Sequence, residues 1–364
     1  LIEAFNKVKD TNHPVVVHIH TIKGKGFEEA EANKEAFHWV MPFDLENKES
    51  NKIEFPEGYT DILGKFLVEK AKEDKKIVAI TAATPGPAGL NYFRQEESLK
   101  EQYVDVGIAE EHAIALASGI ASQGGKPVVS ILSSFVQRTY DQLSQDLAIN
   151  NNPALIMVSW AGITGGDVTH LGIFDIPLIS NIPNIVYLAP TNKEEYLAMI
   201  EWGIEQKDHP VAIRVPNGNV ITTGVSVEPN FGDLNVYEKT IQGNEVAIIG
   251  LGSFHDLGRK VQEKLKVDTG INATLINPRF ITGIDKEMLT DLLESHKLVI
   301  TLEDGVLDGG FGEKISRFYG DKDMKVLNFG ATKEFTDRVS MEELYERYHL
   351  TEELIVEDIK NALK

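Results

Sequence analysis

Tyr103-Val104-Asp105-Val106-Gly107-Ile108-Ala109-Glu110-Glu111-His112-Ala113 begins the stretch that decides the fold, and Val128-Val129-Ser130-Ile131-Leu132-Ser133-Ser134-Phe135-Val136-Gln137-Arg138-Thr139-Tyr140-Asp141-Gln142 ends it. It reads as a loop, a helix, a buried strand and the start of a second helix. From Ile108, the residues Ala109, Ala113, Leu116, Ala117 and Ile120 recur at helical spacing, and Gly124-Gly125 stops the run. Residues 128–132 form a short β-branched segment after Pro127, the pattern of a strand covered on both faces. Glu110 therefore falls in the first turn of a helix packed closely enough to need Ala and Gly. Phe135 follows the end of a strand, where open α/β sheets place their ligands.

Outward from this stretch the alternation continues. A helix from Tyr59 leads to a strand at 77–81; further strands are expected at 154–159, 184–188 and 211–214, with a helix at 196–205. A second series has strands at 245–250, 273–276 and 298–302 and a closing amphipathic helix at 350–363. Strand and helix in turn predict an α/β chain with two doubly wound, mostly parallel sheets, at 55–220 and 235–364. Residues 1–44 read as the tail of a third domain and 45–54 as a charged linker. Within the tail, residues 1–8 suggest the end of a helix and 14–20 a single strand, and one strand without partners is no domain. The text starts at Leu1 in mid-helix, so a fragment is expected.

The 364 residues carry 36 basic and 56 acidic side chains, a net charge of −20. That balance argues against a nucleic-acid partner, which needs clustered Lys and Arg. No apolar run approaches the ~20 residues of a membrane span, and no signal peptide is visible. With no cysteine at all, disulfides and thiolate metal sites are excluded. A cytoplasmic location is the expectation.

Asp105 to Ala113, followed by Ser133 to Gln142, resembles the pyrimidine-binding domain of thiamine-diphosphate enzymes, and within these the 1-deoxy-D-xylulose-5-phosphate synthase family. The resemblance implies that Glu110 bonds the ring nitrogen N1′ of the cofactor's aminopyrimidine and that Phe135 stacks on the ring. A carboxyl group sharing a proton with N1′ favours the reactive imino tautomer, and a flat apolar ring excludes water. It further implies contact of Phe27 with the cofactor, a wedge at Leu90 that bends it, and His38 and His170 beside the reacting carbons. Leu90 could equally be a core residue, and His38 a core or surface histidine. Asp167 and His170 suggest a carboxylate–imidazole couple, with a capped turn as the alternative. Arg138 is assigned to the same site. The family binds diphosphate through Mg²⁺ held by Gly-Asp-Gly and a later Asn; this chain contains no Gly-Asp-Gly. No metal ligand is therefore assigned here, and the chain alone is expected to be inactive.

The implied reaction condenses pyruvate, with loss of CO2, with an aldehyde acceptor, nominally glyceraldehyde 3-phosphate, in isoprenoid, thiamine and pyridoxal precursor synthesis. A homodimer is implied too. The departures concern the acceptor. Ser159-Trp160-Ala161-Gly162 stands where the family has Asp-Arg-Ala-Gly, and Val215-Pro216-Asn217-Gly218-Asn219 where it has Tyr-Pro-Arg-Gly-Asn. The motif Asp167-Val168-Thr169-His170 is one residue shorter than usual, and Leu132 replaces a Tyr. Two phosphate-clamping guanidiniums are thus missing, and Arg138 and Arg214 remain as the cations expected to compensate in part. Another transketolase or 2-oxo-acid-decarboxylating enzyme with a non-phosphorylated acceptor, and a non-catalytic dimeric scaffold, are the competing readings.

Overall fold

Short runs of Val, Ile, Leu and Ala become strands because they can be covered on both faces, and the amphipathic segments between them supply the cover. The computed structural model describes residues 1–38, 40 and 56–364. It divides into two units, Leu1–Pro56 and Glu57–Lys364. The expected linker at 45–54 lies outside the described residues.

The first unit holds the helices Ile2–Val8 and Glu28–Ala32. The strand expected at 14–20 does not form: the segment has no ladder partner among the described residues, and Val16 is 93% exposed. A β-branched run supplies the propensity for a strand but not the neighbour that completes its hydrogen bonds.

In the second unit, β1 (Ile77–Thr81), β2 (Tyr103–Asp105), β3 (Lys126–Leu132), β4 (Leu155–Ala161), β5 (Val186–Leu188) and β6 (Val211–Pro216) make one sheet in the order β2-β1-β3-β4-β6-β5. All its pairs are parallel. The loop expected at Tyr103 is thus in part an edge strand, too short for its alternation to be read. The second sheet comprises β7 (Glu238–Ile241), β8 (Glu245–Gly250), β9 (Thr274–Asn277), β10 (His296–Val306) and β11 (Lys325–Ala331), in the order β11-β10-β8-β9-β7. Only β7 runs antiparallel, against β9. The α/β class with two mostly parallel sheets is as expected.

The sheets are joined edge to segment. Leu188 bridges Phe280, Ile281 N–H donates to the Tyr187 carbonyl at 2.7 Å, and Ala189 N–H to that of Arg279 at 2.8 Å. An otherwise open edge strand is thereby covered. Beside it, the buried Glu195 carboxylate accepts from Thr191 N–H and hydroxyl at 2.8 Å each, Asn277 Nδ2 at 2.9 Å and Arg279 Nε at 3.1 Å. One apolar cluster runs through both sheets, from Ile80, Ala113 and Ile131 to Ile249, Ile276 and Phe311.

The helix Glu110–Ser122 buries Ala113, Ile114 and Ala117 in this cluster. Its small side chains let it lie close to β3, and that closeness fixes where its first turn points. Gly124, at φ 79°, takes the left-handed turn that ends it.

Candidate active site

The helix Glu110–Ser122 begins at the carboxyl side of the parallel sheet, with Ala109 as its N-cap. Glu110 is 3% exposed, at the end of the helix where free N–H groups favour a negative charge. Its Oε2 accepts from Arg138 Nη1 at 2.9 Å. Arg138 lies in the turn Gln137–Thr139, directly after the helical turn Ser133–Val136 that carries Phe135. Positions 135 and 138 are three apart on continuous helical backbone, which puts both side chains on one side. Phe135 meets the His170 ring edge-on, with centroids 5.3 Å apart and planes at 67°. Glu110 thus pairs with Arg138, and Phe135, three residues before Arg138, with His170.

Two buried hydroxyls at these strand ends, Thr81 Oγ1 and Ser133 Oγ, have no hydrogen-bond partner. Ile108, two residues before Glu110, is 76% exposed. In the sequence it marks only the start of the helical spacing. The signal available was an apolar residue directly after Gly107, which adopts φ 72°.

The segment from Trp160 to Gly172 closes on itself: Gly162 N–H donates to the Gly172 carbonyl at 2.6 Å. Trp160 has φ 56°, unusual for a bulky residue, and its side chain is 44% exposed at an irregularity in the pairing of β4 with β6. Asp167 does not bond His170 directly, which corrects the expected couple. Its Oδ1 accepts from Thr169 N–H at 3.0 Å and Thr169 Oγ1 at 2.6 Å, while Thr169 Oγ1 lies 2.8 Å from His170 Nδ1. With only two residues between them, the turn places the hydroxyl of Thr169 in the path. The Thr169 hydroxyl and N–H, helped by the Arg338 charge, hold Asp167 below the usual carboxylate range.

Two further expectations are corrected. Leu90 is 0% exposed and packed in the core with Leu63, Phe93 and Leu67, so it offers no surface to a ligand. Arg214 cannot serve a phosphate either. It is buried and bonded to Asp175, through Nε at 2.8 Å, and to Asp304. Burial opposes its charge, but Asp175 and Asp304 more than restore it.

Phe27 and His38 belong to the first unit. Phe27 caps the helix Glu28–Ala32 and meets Phe37 edge-on at 5.5 Å. His38 is exposed, with Nδ1 bonded to Lys23 Nζ. Among the described residues no group of three or more His, Asp or Glu could hold a metal ion, and no helix is long and apolar enough to cross a membrane.

What is present fits one end of a flat heterocycle: a buried carboxylate, an aromatic plate, an exposed aliphatic side chain and unpartnered hydroxyls. Residues 58–222 match the transketolase pyrimidine-binding domain and residues 237–355 the transketolase C-terminal domain. The 1-deoxy-D-xylulose-5-phosphate synthase of Halothermothrix orenii is 39% identical over 370 residues, covering 100% of this chain and 57% of that protein. That of Carboxydothermus hydrogenoformans is 39% identical over 359 residues, covering 97% of this chain and 56% of its own length. The chain thus spans little more than half the length of these relatives. Among solved structures, a split-gene transketolase described as an inactive β4 tetramer superposes with a TM-score of 0.71 at 23% identity, over 85% of this chain and 99% of that one, which speaks to the fold alone. With both transketolase domains in order and close likeness from end to end, the chain belongs to the 1-deoxy-D-xylulose-5-phosphate synthase family of transketolase-like proteins.

Proposed function

We propose that the protein containing this chain is a thiamine-diphosphate-dependent transferase that decarboxylates pyruvate and joins the remaining two carbons to an aldehyde. The cofactor, when bound, supplies the electron sink for the decarboxylation. Glu110 bonds the ring nitrogen of its pyrimidine, Arg138 keeps that carboxylate oriented, and Phe135 covers the ring from water. Ile108, exposed beside Glu110, takes the wedge role that buried Leu90 cannot. His170 moves a proton at the reacting carbons. Mg²⁺ and the diphosphate are assigned to residues outside this chain, so the chain alone is inactive. A homodimer belongs to the same reading.

The observation that carries the proposal is the buried Glu110 carboxylate at a helix start, paired with Arg138 beside the Phe135–His170 contact. The nominal acceptor is glyceraldehyde 3-phosphate. The exposed Trp160 and the wholly engaged Arg214 favour, as a second reading, an acceptor without phosphate. Steady-state assays of the full-length protein with pyruvate and a panel of phosphorylated and plain aldehydes separate the two. Glu110→Ala is expected to abolish CO2 release with every acceptor; unchanged turnover would end both readings.

A further inference from the structure

We infer that Arg338, on the C-terminal domain, is a positioning residue that acts through Asp167 and Thr169 to hold His170 in one tautomer, with the proton on Nδ1 and Nε2 open. The inference rests on the proposed role of His170 at the reacting carbons.

The steps follow from donor and acceptor capacity. An ionised carboxylate only accepts hydrogen bonds. The 2.6 Å contact between Thr169 Oγ1 and Asp167 Oδ1 therefore uses the single hydroxyl proton of Thr169. Toward His170 Nδ1, 2.8 Å away, the same oxygen can only accept. Nδ1 must then carry the proton. In neutral His170 the lone pair is left on Nε2, which no described residue engages, and the ring packs T-shaped against Phe135. A hydroxyl between carboxylate and imidazole thus does the orienting work that a direct couple does elsewhere.

Arg338 fixes the far end of this relay. Its Nη2 donates to Asp167 Oδ2 at 3.1 Å, and its own N–H to the Gly166 carbonyl at 2.9 Å. Asp337 Oδ1 accepts from Val168 N–H at 3.4 Å. The Val339 carbonyl comes so close that a Cβ on Gly165 would lie 2.6 Å from it. Arg338 adopts φ 54°, which few non-glycine residues do, at the point where it docks. The C-terminal domain thereby holds the turn from Gly165 to Val168 by backbone and side chain together. The Arg338 side chain is 75% exposed, so its ion pair alone contributes little, and Thr169 is the stronger lever.

Long-range ¹H–¹⁵N spectra of the intact protein, labelled at histidine nitrogen, test this directly, with His170 assigned by loss of its signals in His170→Asn. The expected wild-type pattern is that of the Nδ1–H form. Thr169→Val should shift His170 toward the other tautomer and lower kcat roughly 10- to 100-fold, with KM within about two-fold. Arg338→Met should do the same more weakly, about three- to ten-fold in kcat, and Arg338→Lys should recover most of it. An Nε2–H pattern in the wild type, or an unchanged tautomer in Thr169→Val, overturns the inference. Absence of turnover in every form would sink the transferase reading, while the nitrogen spectra still decide this one.

Discussion

Ile108 and Leu90 make opposite use of the same chemistry. Both are large and aliphatic, both stand near turns with glycine, and the sequence offers no way to say which is covered. In the fold, Leu90 closes a core with Leu63 and Phe93, whereas Ile108 stands outside the helix start beside Glu110. Burial is a property of what other segments bring, so sequence alone cannot tell the covered residue from the exposed one. The two positions should separate cleanly on mutation. Leu90→Ala leaves a cavity and should cost about 2–5 kcal/mol in chemical denaturation. Ile108→Ala should change stability by less than about 0.5 kcal/mol, yet weaken coenzyme binding to the full-length protein, read by titration calorimetry. Equal coenzyme affinity in wild type and Ile108→Ala would remove the wedge role from that position. The placement of Glu110 and Phe135 was legible for a different reason: a helix start and a strand end are local features, and the parallel sheet itself brings such ends to one side.

At the scale of elements, the segment from Trp160 to Gly172 depends on how closely its two ends approach. A Cβ on Gly172 would lie 2.2 Å from the Trp160 carbonyl and 3.0 Å from that of Gly162, both backbone atoms that cannot swing aside. Gly172→Ala is therefore expected to destabilise the protein by about 1–3 kcal/mol and to displace the turn that carries His170. Lost activity should accompany a fall in the melting midpoint; wild-type behaviour in both would mean that the neck of this loop is slack. The glycine density announced a tight turn, but not that Thr169 would separate Asp167 from His170, because spacing along the chain does not say which side chain fills the gap. Longer apolar segments such as β3 and β8 were legible almost to the residue. The short edge strands β2 and β7 were not, since three or four half-exposed residues carry no measurable period. The run from Pro14 to His20 failed the other way, with strand composition and no partner among the described residues.

Across the whole molecule, the two sheets share a buried polar seam that composition alone would not place. Arg214 on β6 reaches Asp175 and, on β10, Asp304, which also accepts from Ser253 Oγ at 3.1 Å. Beside it on β10, Glu303 accepts from Phe311 N–H at 2.9 Å and Gly312 N–H at 2.8 Å, tying the strand to the start of the helix Phe311–Tyr319. Burial pushes Glu303 up to about 7, although those two N–H groups and Arg214 pull the other way. Its folded value thus lies above the unfolded one of 4.5, so the native state holds this proton more tightly. The stability that Glu303 contributes is complete below about pH 4.5 and is lost as pH rises through about 7. The loss between those limits should be of the order of 2–4 kcal/mol, since each tenfold change in proton affinity corresponds to about 1.4 kcal/mol. Urea denaturation of wild type and Glu303→Gln across pH 4.5 to 8 reads it. The amide cannot ionise, so the difference between the two proteins should shrink or reverse in the variant's favour as pH rises. A constant difference over that range would mean that Glu303 stays ionised throughout, and that its two backbone donors with Arg214 outweigh its removal from water.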